Sequence, residues 1–255
     1  MRTAMCIFLA PLLALAVATQ DRARSIHVFV ALCDNEYQGI VPVPQKLGNG
    51  EDPNNNLYWG ALYGTKAFLK KSKDWKVLAT EKKPTEEILE RIIFRHVATR
   101  TYLVADAYRG RKIRNAVENF LNAAAGNNPE TLTLGETQIR IAGGSDLVVY
   151  VGHNGLMDFS VDQTMQKKLG DARNAIVLAC KSKPYFQPRL AKLGCRPVLL
   201  TTGFMAPEAY TLKAAVEGWI AGENAEQIRE HAARAYDKYQ KCGLKAAGRL
   251  FYSEN

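Results

Sequence analysis

The apolar run at residues 26–33, Ile-His-Val-Phe-Val-Ala-Leu-Cys, shows almost no polar alternation. A strand reads this way when both of its faces are buried in a parallel sheet. Further runs of strand length stand at residues 75–80, 101–105, 147–151, 175–179 and 198–202. Between them the spacing predicts helices. Tyr58, Leu62, Phe68 and Leu69 mark one over residues 57–71. A second opens at Pro84, with Glu86 and Glu87 in its first turn and Ile88, Leu89, Ile92, Ile93 and Val97 on its buried face, since proline and acidic residues favour a helix start. A third covers residues 112–125 and stops at Gly126-Asn127-Asn128-Pro129. Residues 132–141 alternate as a hairpin or edge ribbon does. A short helix is expected around residues 164–169, and a long helical stretch over residues 209–241 is interrupted near Gly222. Strands alternating with helices imply an α/β fold: a doubly wound, mostly parallel sheet with helices on both faces and functional groups at the carboxyl ends of its strands. Residues 34–56, rich in Gly, Pro, Asn and Asp, read as a long surface loop, and loops of that length are usually functional or mobile. No internal repeat or low-complexity segment interrupts the pattern.

The chain has 255 residues, 47% hydrophobic and 23% charged, which suits one large domain. Its first residues carry a different signal. Arg2 precedes an apolar run over residues 4–18, broken only by Pro11 and ending Ala16-Val17-Ala18. That is the form of a cleaved signal peptide, too short for a spanning helix. The expectation is a leader over residues 1–18, a single α/β domain over residues 19–255, and a secreted or periplasmic protein with no integral membrane span. The formal charge of +9 comes from scattered Lys and Arg on helix faces, with no aromatic-interleaved basic motif, so no nucleic-acid partner is expected. Absence of CxxC, HExxH and phosphate-loop spacings leads to the expectation of no metal and no cofactor. Asp34-Asn35-Glu36 reads as a turn before it reads as a calcium ligand set. Beyond the leader lie Cys33, Cys180, Cys195 and Cys242. If one disulfide forms, Cys195–Cys242 is the pair expected, with Cys33 a buried free thiol.

Two of the apolar runs end in reactive side chains: residues 147–151 lead through Gly152 to His153, and residues 175–179 lead to Cys180. The 27 residues between them suit one crossover, which makes the two strands neighbours. A cysteine attacks as thiolate, and an adjacent imidazole can take its proton and later protonate a leaving amine. Gly152 and Gly155 allow close backbone approach, and the amides of Gly155 and Cys180 are candidate oxyanion donors. The remaining histidines, His27, His96 and His231, read as packed or solvated. The competing reading makes His153 and Cys180 structural residues as well.

The segments Val149-Tyr150-Val151-Gly152-His153-Asn154-Gly155 and Val177-Leu178-Ala179-Cys180-Lys181-Ser182 resemble the histidine and cysteine motifs of the caspase-hemoglobinase clan of cysteine peptidases. The likeness follows the order of the sheet from residue 26 to 202 and is specific at those two motifs. Asn154 stands where the family places glycine, and Leu178 and Lys183 replace its usual flanking residues. The resemblance implies a caspase-like fold and an endopeptidase acting on a peptide or protein substrate, with Cys180 as nucleophile and His153 as general acid and base. It also implies substrate contacts from Asp34, Thr202 and Phe204, with Asp106 a further candidate, and an acidic Asp34 would select a basic side chain. The alternatives are a non-catalytic peptide- or protein-binding module and an enzyme using the same thiol for other acyl-transfer chemistry.

Overall fold

A computed structural model describes residues 23–161, 166 and 172–254. The expected leader and the helix expected at residues 164–169 lie outside the described residues. The protein is α/β, with an eight-stranded, mostly parallel sheet. In chain order its elements begin with strand β1 (Arg24–Ala31), helix α1 (Thr65–Lys71) and strands β2 (Trp75–Lys82), β3 (Ile88–His96) and β4 (Thr101–Tyr108). Helix α2 (Ile113–Ala125), strands β5 (Pro129–Leu134), β6 (Thr137–Ala142), β7 (Leu147–Val151) and β8 (Asn174–Leu178), and helix α3 (Ser182–Lys192) follow. The chain continues with β9 (Arg196–Thr201), α4 (Ala209–Ile220), α5 (Ala225–Gln240), α6 (Leu244–Leu250) and β10 (Phe251–Tyr252).

The sheet order is β10-β9-β8-β7-β1-β4-β3-β2, with β5 and β6 paired apart from it. From β9 through β4 the pairings are parallel, and β10, β3 and β2 add antiparallel edges. Alternate residues feed two cores. Val28 and Val30 meet α1, α4 and α5 on one side, whereas Phe29 and Ala31 meet α2 and α3 on the other. This two-sided burial is why the central strands lack polar positions. Helix α2 ends on Gly126 in the left-handed region (φ 84°), as its sequence signal implies.

Two predicted helices change. The segment from Pro84 is no helix: residues 88–96 are β3, an interior strand antiparallel to both β2 and β4. Its apolar positions fit both periods, and the charged pair Glu90-Arg91 looks like a solvated helix face. Both charges are in fact buried. Glu90 accepts hydrogen bonds from Trp59 Nε1, Lys66 and Lys82 at 2.8, 2.8 and 2.9 Å. Arg91 donates twice to Asp106 at 2.7 Å. The helix expected from residue 57 starts only at Thr65, because Asn56 turns the intervening chain by accepting at Oδ1 from Tyr58 N and at its carbonyl from Trp59, Gly60 and Ala61. The ribbon at residues 132–141 is the β5–β6 hairpin. All four described cysteines are free, so the Cys195–Cys242 bridge does not form: Cys195 is buried at the start of β9 while Cys242 is exposed beyond α5. No described helix is long and apolar enough to cross a membrane.

Candidate active site

Strands β7 and β8 are parallel neighbours, and Val151 pairs with Leu178. Two residues further along each chain come His153 and Cys180, so the register brings both to the same edge of the sheet at the same level. Each leaves its strand through a special backbone. Gly152 has φ 147°, and a Cβ there would lie 2.8 Å from the Ala31 carbonyl. Lys181, directly after the cysteine, holds the left-handed conformation at φ 48°, turning the chain from β8 sharply into α3. A side-chain-bearing residue in that region stores strain, which is common where a reactive group is presented. Ser182 and Thr201, both fully buried, lock the elbow: Ser182 Oγ donates to Val177 O at 3.1 Å and accepts from Thr201 N at 2.8 Å, and Thr201 Oγ1 accepts from Ser182 N at 3.1 Å. Cys180 thus precedes the first turn of α3, where the helix dipole favours an anion.

His153 is 7% exposed. Its backbone carbonyl accepts from the buried Tyr150 hydroxyl at 2.7 Å, and burial pushes that phenol far above its ordinary pKa, so it stays a donor. Its ring Nε2 lies 2.7 Å from Asp158 Oδ2. A carboxylate oxygen accepts, so Nε2 carries the hydrogen in that bond. Asp158 was not foreseen from sequence. It stands five residues after the histidine, brought back by a short 3₁₀ turn over Gly155–Met157 that Asn154 caps by accepting from Leu156 N. Asn154 also donates from Nδ2 to the Cys180 carbonyl at 2.8 Å, tying the two strand ends together.

The thiol of Cys180 is half-buried. Sγ lies 3.4 Å from Met205 N, which donates to it, and 3.5 Å from Met205 O, which can accept from it. No hydrogen bond joins His153 to Cys180. Tyr58 stands nearby, its phenol pushed well above the ordinary value by burial, then by Cys33 and Cys180.

The other expected site residues lie in different surroundings. The Gly155 amide is not an oxyanion donor, because it donates to the His153 carbonyl at 3.0 Å. Gly155 serves packing instead: a Cβ there would lie 2.5 Å from the Phe159 ring. The Cys180 amide finds no acceptor among the described residues and remains a candidate donor. Asp34 turns into its own loop. It is 5% exposed, its Oδ1 accepts from Glu36 N and Tyr37 N, and it lines a cavity of about 300 Å³ made by its own loop. Thr202 is exposed, but its hydroxyl donates to the carbonyls of Arg249 and Leu250 at the end of α6. Phe204, 68% exposed, is open to solvent with Lys181 Nζ 4.4 Å above its ring. Asp106 is fully buried beneath a separate cavity of about 580 Å³, bonded to Arg91 and to His27 Nε2 at 3.0 Å. His96 and His231 pair with Glu217 and Glu223. Among the described residues no cluster of His, Cys, Asp and Glu could hold a metal ion.

No protein-family model, no curated protein and no solved structure matches the chain.

Proposed function

We propose that this chain is an exported cysteine endopeptidase, secreted or periplasmic, with a doubly wound, caspase-like architecture. Its nucleophile is Cys180, its general acid and base His153, and its orienting carboxylate Asp158. One observation carries the reading: a cysteine and a histidine leave adjacent parallel strands at the same level, and the histidine Nε2 is held 2.7 Å from a carboxylate oxygen. In the reaction Nδ1 takes the thiol proton, and Sγ attacks the carbonyl carbon of the scissile bond. The Cys180 amide receives the developing oxyanion. As the C–N bond breaks, His153 returns the proton to the departing amine. Water then hydrolyses the thioester, with His153 accepting its proton.

The second reading, a non-catalytic module using the same cleft, is favoured by the thiol contacting Met205 and not His153. Unliganded sites often hold catalytic groups apart and draw them together on binding substrate. The deciding experiment compares wild type with Cys180→Ala and His153→Ala on a fluorogenic peptide library and on an acyloxymethyl ketone. Turnover and labelling at Cys180 that both variants lose are expected; a wild-type chain that neither cleaves nor labels sinks the peptidase reading and leaves the binding module.

A further inference from the structure

The cavity above Asp106, of about 580 Å³, falls within the roughly 300–1,000 Å³ of small-molecule sites. It is walled by β1, the segment between β2 and β3, α2 and the β5–β6 hairpin, and neither His153 nor Cys180 lines it. Its floor is a buried polar network with donors to spare. Asp106 accepts at 2.7 Å from both Nε and Nη2 of Arg91 and at 3.0 Å from Nε2 of His27, whose Nδ1 accepts from Ala142 N. That closes one edge of the guanidinium. Two of its five N–H groups are spent. The other three, two on Nη1 and one on Nη2, have no acceptor among the described residues, although Arg91 lines the cavity and is 8% exposed. Tyr108, 3% exposed, repeats the pattern: its hydroxyl oxygen accepts from Asn119 Nδ2 at 3.2 Å, while its hydrogen has no acceptor among the described residues. Buried donors left unpaired cost free energy, so acceptors from outside the chain complete this floor. Water supplies single acceptors, whereas an open guanidinium edge is shaped for two oxygens side by side, the geometry of a carboxylate.

The mouth has the opposite character. Glu81, near the end of β2, and Glu130, near the start of β5, are exposed, line the cavity and have no ion-pair partner among the described residues. Burial pulls the pKa of Arg91 down, but Asp106, and after it Glu130 and Glu81, raise it above its ordinary value, so both carboxylates lie close enough to act on the guanidinium. Glu86 adds a third acid to the lining. A carboxylate alone meets these acids on its way to Arg91, and an amine alone leaves the Arg91 donors unpaired. A ligand that bears both groups satisfies floor and mouth together.

We infer that this cavity binds a free α-amino acid, its carboxylate on the open edge of Arg91 and its ammonium toward Glu81 and Glu130. Phe29, Ile88 and Leu132 remain as apolar wall for the side chain. The inference is independent of the peptidase reading. Each of the twenty protein amino acids is titrated by calorimetry against the full chain, and the tightest is compared with the amine that lacks its carboxylate and the acid that lacks its ammonium. At least one amino acid is expected to bind one to one, and each truncated analogue at least about tenfold more weakly, because a site built to pair a polar group rejects a ligand without it. Arg91 stays in place throughout, since replacing it would strip buried Asp106 of its guanidinium. Combining Glu81→Gln and Glu130→Gln is expected to weaken amino-acid binding at least about tenfold, with the melting temperature unchanged because both side chains are exposed and unpaired. No binding by any amino acid, an analogue that binds as tightly as the amino acid, or unchanged binding by the double variant overturns the inference. Equal binding of the amine, in particular, would reduce the site to an acidic mouth that collects cations.

Discussion

At the residue scale the site depends on one carboxylate with two partners. Asp158 Oδ2 accepts from both His153 Nε2 and Gly39 N. Asparagine in its place keeps an acceptor oxygen for either donor but brings an NH₂ that can reverse the tautomer of the ring. Asp158→Asn is therefore expected to lower kcat by roughly 10²–10⁴-fold with little change in KM, measured as separate kcat and KM values across pH. A loss confined to KM would reassign Asp158 to the loop. Gly155 tests packing beside it. Gly155→Ala drives a methyl into the Phe159 ring, a 2.5 Å approach, and is expected to destabilise the fold by about 1–3 kcal/mol, read from the urea midpoint. Of this constellation the two reactive residues were legible because each ends an apolar run. Asp158 was not, since a partner five residues away meets the histidine only through a turn whose geometry the residue types permit without requiring it.

At the scale of elements, β3 carries the lesson about buried charge. The parallel strands were legible because two-sided burial empties them of polar residues. In β3, Glu90 and Arg91 conceal the strand, and their partners lie 8 to 31 residues away in sequence. Asp106 is the centre of the second network. Burial raises its pKa, yet the hydrogen bonds from Arg91 and His27 outweigh that and hold it below the ordinary carboxylate range. A carboxylate whose pKa falls on folding contributes stability present above its unfolded pKa of about 3.9 and lost as pH drops through the folded value. Glu90 acts the same way: burial raises its pKa, and Lys66, Trp59 and Lys82 together lower it further than burial lifts it. Stability is thus expected to hold down to about pH 4 and to fall below it, checked by urea denaturation at stepped pH. Arg91→Met alone leaves buried Asp106 charged without its guanidinium and is expected to cost about 3–5 kcal/mol, while Arg91→Met with Asp106→Leu costs less, because replacing a whole buried pair is often near neutral. A double variant as unstable as the single one would show that His27, which also accepts from Ala142 N at 3.0 Å, depends on the carboxylate as much as the arginine does.

At the scale of the whole molecule the four described thiols sort by where the fold puts them. The expected Cys195–Cys242 bridge was a reading of sequence position, and spacing cannot report that one partner faces the core and the other faces water. Cys33 closes β1, where burial is the largest influence on its thiol and lifts it to about 11. Cys195 lies under α3 and β9, where burial lifts its thiol to about 12 against a smaller opposing pull from Arg173. Thiolate is the reactive form, so at pH 8 both are expected to be inert. Cys180 and Cys242 are solvent-accessible to different degrees, and only Cys180 stands beside a histidine and a donating amide. With the leader absent, two thiols are expected to react with a disulfide reagent in the native protein and all four in urea, and His153→Ala is expected to slow Cys180 while leaving Cys242 unchanged. Mass mapping of the labelled peptides checks both points. Equal rates at Cys180 with and without His153 would mean that the imidazole does not reach the thiol in solution, and the peptidase reading would then give way to the non-catalytic binding module.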